Sequence, residues 1–100
     1  ILQLKYRPQL FVCCNDFVAR IVCTALKELN IRIPDDAFVT GFDNVAESRS
    51  AHPVITTFSV DREFMGRQTI YTLLNRIENP DCPTRIINIG TTLVQGETTR

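Results

Sequence analysis

Residues 9–42 read QLFVCCNDFVARIVCTALKELNIRIPDDAFVTGF, and the apolar pattern of these residues is the strongest indication of the architecture. Gln9 to Cys14 is a short apolar run, which is typical of a parallel strand buried on both faces. Apolar side chains then recur every three or four residues, which predicts a helix with one stripe facing a sheet and a left-handed cap at Asn30. The stripe consists of Val18, Val22, Ala25, Leu26 and Leu29. Ala37 to Phe42 forms a second buried strand, so the stretch predicts a right-handed βαβ unit on a parallel sheet.

The remaining residues add a loop, a second helix and further extended segments. Asn44 to Pro53 is too polar for a core and predicts a long loop. Val54 to Val60 predicts a third strand, and the side chain of Asp61 caps a second helix, Asp61 to Glu78. Ile86 to Ile89, followed by Thr91 to Gln95, predicts a final extended stretch.

Two helices and about four strands in alternation indicate an α/β fold with a mostly parallel sheet. Doubly wound sheets usually have about five or six parallel strands with helices on both faces. The chain supplies fewer elements than that, so we expect it to be part of a larger fold. Its start at Ile1, without a Met, also suggests a fragment.

Composition excludes several classes of protein. The 100 residues suffice for one small domain, and eleven Lys and Arg balance eleven Asp and Glu. The chain therefore has no basic excess of the kind that neutralises nucleic-acid phosphates. Its apolar runs are interrupted well short of the ~20 residues that a bilayer crossing needs, and we expect no signal peptide.

The cysteines and the one histidine form no recognisable metal or catalytic motif. The cysteines lack C-x-x-C spacing and a paired histidine, and His52 is not accompanied by a serine or cysteine nucleophile motif. The glycines never approach a phosphate-binding spacing. We therefore predict no catalytic residue, no metal and no cofactor. We expect reduced, mostly buried thiols, which favour the cytoplasm; these are Cys13, Cys14, Cys23 and Cys82.

Candidate ligand-binding residues follow the predicted strands, because ligands of open α/β sheets bind beyond the carboxyl ends of the strands. Asn15 offers an amide that donates and accepts, and Asp43 offers a carboxylate that accepts from two hydroxyls, a pairing suited to polyols. Val60 would supply an apolar wall. Local roles remain open at this point, since Asn15 is also a competent helix cap and Asp43 could form an Asx turn.

The order of motifs along the chain closely resembles the lactose-repressor/galactose-repressor family of bacterial transcription regulators. The resemblance covers almost the whole chain, through FVCCNDFVA, ALKELNIRIPDDAFVTGFDN, HPVITTFSVDREFMGRQTIYTLLNRIENP and TTLVQGETTR. It implies part of a type I periplasmic-binding-protein-like fold, in which two α/β subdomains flank a cleft. By the resemblance, residues 1–60 and about 96–100 belong to the C-terminal subdomain, and residues 61–95 to the N-terminal one.

The resemblance also implies a function in sensing an effector, a sugar or related small molecule. Family members contact effector hydroxyls at the positions of Asn15 and Asp43, and the position of Val60 lies near the cleft. Operator DNA would be bound by a helix-turn-helix that this chain lacks, and the protein would be a cytoplasmic homodimer. The implied dimer interface comprises Phe17, Val18, Arg20, Glu47, Arg49, Ser50 and His52.

Arg20 departs from the small or apolar residue that is usual at its position in this family. We therefore hypothesise that Arg20 pairs with Glu47 of the partner subunit.

Two rival functions remain at this stage. A periplasmic sugar-binding protein for transport would share the fold and the cleft. An α/β enzyme acting on a sugar would use Asp43 as base and His52 as acid.

Overall fold

The computed structural model describes residues 4–50 and 52–100, and within them the chain is an α/β protein. The strands are β1 (Leu10–Val12), β2 (Phe38–Thr40), β3 (Thr57–Val60) and β4 (Thr91–Val94). The helices are α1 (Asp16–Glu28), α2 (Ala46–Arg49) and α3 (Arg62–Glu78). No helix of the described residues is long and apolar enough to cross a membrane.

The predicted parallel βαβ unit is confirmed. β1 pairs with β2 in parallel, with Leu10 opposite Phe38 and Val12 opposite Thr40. Helix α1 connects the two strands and packs on both of them. The parallel arrangement continues toward β3 through a bridge between Thr40 and Thr56 and another between Asp43 and Ser59. The carboxyl ends of these strands therefore lie at one edge.

The buried stripe of α1 differs from the predicted one. The residues that face the core are Asp16, Ala19, Cys23 and Leu26. Val18 and Val22 are only half-buried, and Ala25 and Leu29 are exposed. The helix is thus rotated by about one residue, because small side chains let it approach the sheet closely and because Asp16 is held in the interior by hydrogen bonds.

The end of the chain pairs with the middle of the sheet, which the apolar pattern does not predict. The backbone N–H of Val39 donates to the carbonyl of Thr98 at 3.0 Å, and the Thr98 hydroxyl donates back to the Val39 carbonyl at 2.6 Å. Thr98 also accepts from the backbone N–H of Thr56 at 2.9 Å. A fully buried threonine therefore ties residues 96–99 to β2 and to the residues before β3.

The segment predicted as a polar loop contains α2 and a buried residue. Ser48 is 1% exposed, and its hydroxyl donates to the carbonyl of Val45 at 2.6 Å. Its own carbonyl accepts from the backbone N–H of Ile55. A small polar side chain whose hydrogen bonds are satisfied locally can be buried, so polarity alone was a wrong guide here.

Only the second part of the predicted final extended stretch forms a strand, and the expectation of a strand at Ile86 to Ile89 is wrong. These residues have no regular structure, whereas Thr91–Val94 forms β4 and pairs with β3. A strand exists only where its backbone is paired, and among the described residues the stretch 86–89 has no partner strand.

The chain divides into two compact units. One comprises the residues up to Ser59 together with Thr92–Arg100, and the other comprises Val60–Thr91. The second unit contains α3, whose N-cap is Asp61 as predicted, the carboxylate accepting from the backbone N–H of Phe64 at 2.9 Å. No residue of α3 is buried.

Candidate functional site

Asn15 lies between β1 and α1 and acts as the N-cap of the helix. Its Oδ1 accepts a hydrogen bond from the backbone N–H of Val18 at 2.9 Å, and its backbone is extended, as a cap requires. The Nδ2 group of Asn15 donates to no protein group within residues 4–50 and 52–100. The Oδ1 atom is therefore used in capping, and the Nδ2 group remains as a donor on a half-buried side chain.

Asp43 lies beyond the end of β2 in an unusual backbone conformation. Its φ is 97° and that of Asn44 is 50°, so two consecutive residues occupy the left-handed region that non-glycine residues rarely adopt. Asp and Asn tolerate this region better than most side chains do. The backbone N–H of Asp43 donates to the carbonyl of Phe58 at 2.9 Å, which joins this turn to β3.

One backbone hydrogen bond brings Asn15 and Asp43 side by side. The N–H of Asp16 donates to the carbonyl of Phe42 at 3.0 Å. Asn15 immediately precedes the donor, and Asp43 immediately follows the acceptor. Within the described part of the chain, the Asp43 carboxylate accepts no hydrogen bond. Residues 15 and 43 thus lie close together at the edge of the sheet, and each has side-chain hydrogen-bonding capacity that the described residues do not use.

Val60 is the last residue of β3 and is half-buried. It belongs to the second compact unit and lies directly before Asp61, the cap of α3. Its role as an apolar wall remains a prediction.

The carboxylate of Asp16 is a buried polar group at this edge that accepts two hydrogen bonds. Asp16 is 1% exposed, and its Oδ2 accepts from the backbone N–H of Val45 at 3.0 Å. Its Oδ1 accepts from the hydroxyl of Thr57 at 2.5 Å. Gly41 packs against Asp16 so closely that a Cβ on Gly41 would lie 3.1 Å from the Cα of Asp16 and would overlap its Oδ1.

Asn44 extends the same network toward β3. Its backbone N–H donates to the Thr57 hydroxyl at 3.4 Å, and its Nδ2 donates to the Ser59 hydroxyl at 3.3 Å. Its Oδ1 is buried and has no hydrogen-bond partner among residues 4–50 and 52–100. An unpaired buried acceptor costs about 1–3 kcal/mol, so this turn is held in place against a local cost.

The residues implied at a dimer interface lie on α1 and around α2, two helices that pack against each other. Phe17 is 67% exposed, whereas Val18 packs partly against the core. Nδ1 of His52 lies 3.9 Å from a carboxylate oxygen of Glu97. The exposed members are Phe17, Arg20, Glu47, Arg49, Ser50 and His52.

A separate open cavity of about 820 Å³ lies along α1 and does not include Asn15 or Asp43. Its charged lining residues are Arg20, Lys27 and Arg32, with His52 beside them. Arg32 is paired with Asp36 at 2.9 Å, so its charge is already neutralised. The cavity borders the residues implied at the dimer interface.

The described cysteines are free thiols, but only two of them are buried. Burial raises the pKa of Cys23 to about 11, and it also raises the pKa of Cys13. Cys14 is exposed and Cys82 is half-exposed, so the prediction of mostly buried thiols holds only for Cys13 and Cys23. Among the described residues, no group of three or more His, Cys, Asp or Glu side chains could hold a metal ion.

Residues 1–99 match the family model of the periplasmic binding protein-like domain. The chain belongs to this family. This chain is 36% identical over 94 residues to the HTH-type transcriptional repressor PurR of Mannheimia succiniciproducens. The match covers 94% of this chain and 28% of the relative, so the chain spans little more than a quarter of that protein.

Solved structures of regulators share this fold. A LacI-type transcription regulator from Bifidobacterium animalis subsp. lactis is 35% identical, with a TM-score of 0.82 over 94% of this chain and 34% of that one. The lac repressor dimer bound to operator and the anti-inducer ONPF is 25% identical, with a TM-score of 0.82 over 92% of this chain and 32% of that one. The resemblance to the lactose-repressor/galactose-repressor family is therefore confirmed.

The sequence patterns do not single out three polar residues of this edge of the sheet, namely Asp16, Thr57 and Ser59. An Asp in the first turn of a helix is favoured by the helix dipole, so the position of Asp16 does not by itself indicate a buried role. The available signal was three hydroxyl side chains, Thr56, Thr57 and Ser59, inside a segment predicted to be a strand.

Proposed function

We propose that this chain is the effector-sensing and dimerisation part of a bacterial transcriptional regulator. The effector is a sugar or a related polyhydroxylated molecule, bound by the Asn15 amide and the Asp43 carboxylate. The observation that supports the proposal is the hydrogen bond from Asp16 N to Phe42 O, which brings the backbone of residues 15 and 43 close together. A free N–H donor next to a carboxylate matches a sugar hydroxyl pair, since each hydroxyl both donates and accepts.

The proposed mechanism is a shift between subdomain arrangements. Residues 1–60 and about 96–100 would belong to the C-terminal subdomain, and residues 61–95 to the N-terminal one, with Val60 near the effector. An effector that binds one arrangement more tightly increases its population and so changes the affinity for operator DNA. The DNA would be bound by a helix-turn-helix outside this chain, and the protein would act in the cytoplasm, in keeping with its free thiols.

The effector proposal is tested in the full-length protein with substitutions that preserve local structure. Asn15→Ser keeps a capping oxygen but removes the amide donor, and Asp43→Asn keeps a side chain that tolerates positive φ but removes the charge. Asp81→Ala is the matched control, because Asp81 is an exposed acid in the second unit.

The measurement is calorimetric titration with a panel of neutral monosaccharides and disaccharides, with nucleobases as contrasting ligands. We expect one class of sugar to bind, and both site variants to lose about tenfold or more in affinity, the equivalent of one lost polar contact. The Asp81→Ala variant should bind as the unmodified protein does. Equal sugar affinity in all three variants would show that Asn15 and Asp43 are not effector ligands.

The proposed link between effector binding and DNA binding is tested with an operator selected from random duplexes. Binding of the operator should change when the sugar is added. A full-length protein that binds the sugar but selects no DNA duplex would instead be a transport receptor. Chemical conversion of the sugar would indicate an enzyme.

We further propose that the exposed residues of α1 and α2 form the homodimer interface, with Arg20 paired to Glu47 of the partner subunit. The exposed Phe17 would supply apolar contact area there. Arg20→Glu should weaken the dimer in sedimentation equilibrium, and adding Glu47→Arg should restore it. If the double variant dimerises no better than Arg20→Glu alone, the two residues do not pair.

A further inference from the structure

Asp16 is hydrogen-bonded on both sides of the turn that carries Asp43, through its backbone N–H on one side and its buried carboxylate on the other. Before the turn, the backbone N–H of Asp16 donates to the carbonyl of Phe42. After the turn, the side chain of Asp16 accepts from the N–H of Val45 at 3.0 Å. Asp43 and Asn44 are thus held between two hydrogen bonds that end on a single residue.

The hydroxyl of Thr57 links the middle of this turn to the same carboxylate. It accepts from the N–H of Asn44 at 3.4 Å and donates to Oδ1 of Asp16 at 2.5 Å. A hydroxyl has one donor and two acceptor positions, so Thr57 can make both contacts at once. The acidic group therefore reaches the turn directly at residue 45 and through Thr57 at residue 44.

We propose that Asp16 is a positioning residue that holds the Asn15 amide and the Asp43 carboxylate in the relative positions that bind the effector. The inference rests on the proposed function, because it concerns the same two groups. Asp16 is covalently joined to Asn15, and its contacts keep Asp43 and Asn44 at φ values of 97° and 50°. Without these contacts the turn would relax toward ordinary φ values, and the Asp43 carboxylate would move relative to Asn15.

Thr57 offers the cleanest substitution. Thr57→Val keeps the shape of the side chain but removes the hydroxyl, whereas Thr57→Ser keeps the hydroxyl. Thr98→Val is the matched control, because Thr98 is also a fully buried threonine whose hydroxyl makes two hydrogen bonds, to residues 39 and 56 and not to residues 42–45. A role in stability alone predicts that both valine variants behave alike.

The experiment uses the full-length protein at a temperature at which circular dichroism shows every variant folded. Amide hydrogen exchange is measured by NMR at Asn44 and Val45, and affinity is measured calorimetrically for D-ribose and cellobiose. Thr57→Val should accelerate both exchange rates and weaken binding of whichever sugar binds by about tenfold or more, the equivalent of one misplaced polar contact. Thr57→Ser should stay within about twofold of the unmodified protein, within the usual variation of a retained hydrogen bond.

Thr98→Val should lower the unfolding temperature and leave exchange at residues 44 and 45, and sugar affinity, unchanged. Equal effects of Thr57→Val and Thr98→Val, or unchanged exchange in Thr57→Val, would overturn the positioning role. If neither sugar binds the unmodified protein, the choice of effector fails, and the exchange rates alone decide whether Asp16 holds the turn. If Thr57→Val does not fold, Asp16→Asn, which cannot accept at both positions, is measured in its place with the same expected outcome.

Discussion

Replacement of Gly41 by alanine tests directly whether the buried contacts of Asp16 are as close as the structure shows. A Cβ at this position would overlap Oδ1 of Asp16 and lie 3.1 Å and 3.2 Å from its Cα and Cγ. Because Asp16 is 1% exposed and its backbone is fixed at the start of α1, the carboxylate can move only by leaving its partners.

The size of the effect follows from the contacts that would break. The carboxylate of Asp16 accepts two hydrogen bonds, from Thr57 and from Val45, and each hydrogen bond to a charged group contributes about 1.5–3 kcal/mol. Replacing glycine by alanine restricts the unfolded chain and offsets about 0.4–1 kcal/mol of this. We expect Gly41→Ala to lower the free energy of unfolding by about 2–5 kcal/mol, a large part of the ~5–15 kcal/mol of a typical domain.

The assay is urea unfolding followed by circular dichroism, with Gly66→Ala as control. Gly66 lies in α3 and a Cβ there would meet no atom within 4 Å, so this variant should gain about 0.5–1 kcal/mol from helix propensity. In an Asp16→Ala background, Gly41→Ala should cost less than about 1 kcal/mol, because the overlap with Oδ1 is gone and only the 3.1 Å approach to the Cα of residue 16 remains. A cost that is the same with and without the Asp16 side chain would refute the reasoning.

Three further predictions concern other parts of the chain. Gly96→Ala should destabilise by roughly 2–4 kcal/mol in the same urea assay, because a Cβ would lie 2.5–2.7 Å from backbone atoms of residues 54 and 55, which cannot rotate away. Iodoacetamide should label Cys14 rapidly in the native protein and spare Cys23, because burial shields Cys23 and its raised pKa of about 11 keeps the thiol protonated. Mass spectrometry after a timed pulse measures the order of labelling, and faster labelling of Cys23 would contradict its burial. Arg32 lowers the pKa of Asp36 to about 2 from 3.8, so this pair stabilises the folded state above pH 4 and the stabilisation disappears as the pH falls toward 2. In Arg32→Ala, the midpoint of an NMR titration of the Asp36 carboxyl carbon should move back toward 3.8, and an unchanged midpoint would assign the shift to another cause.

Local sequence patterns were sufficient for the βαβ unit and for α3, and they placed the two candidate ligand residues at strand ends. Asn15 follows a buried strand and precedes a helical apolar repeat, so its position at a strand end could be read from neighbours alone. Asp43 follows the next strand in the same way. Because crossovers in parallel sheets connect strand ends in a regular manner, the pairing of these two positions was also predictable.

Burial was predicted less well where polar groups and chain ends are involved. Of the predicted stripe of α1 only Leu26 is fully buried, and Asp16, Ala19 and Cys23 face the core with it. An apolar count cannot foresee a buried carboxylate, since burial is favourable only when specific donors meet it. The stretch 86–89 shows the converse, because apolar residues form a strand only where a partner strand is available.

The sequence by itself determined the βαβ order, the capping of α1 and α3, the parallel sheet and the family to which the chain belongs. The tertiary structure alone decided that Asp16 meets Val45 and Thr57, which lie 29 and 41 residues further along the chain. It alone also decided that Thr98 pairs with Val39, 59 residues away. Periodicity and capping depend on neighbours within about four residues, whereas these contacts depend on which strands lie side by side and in what register.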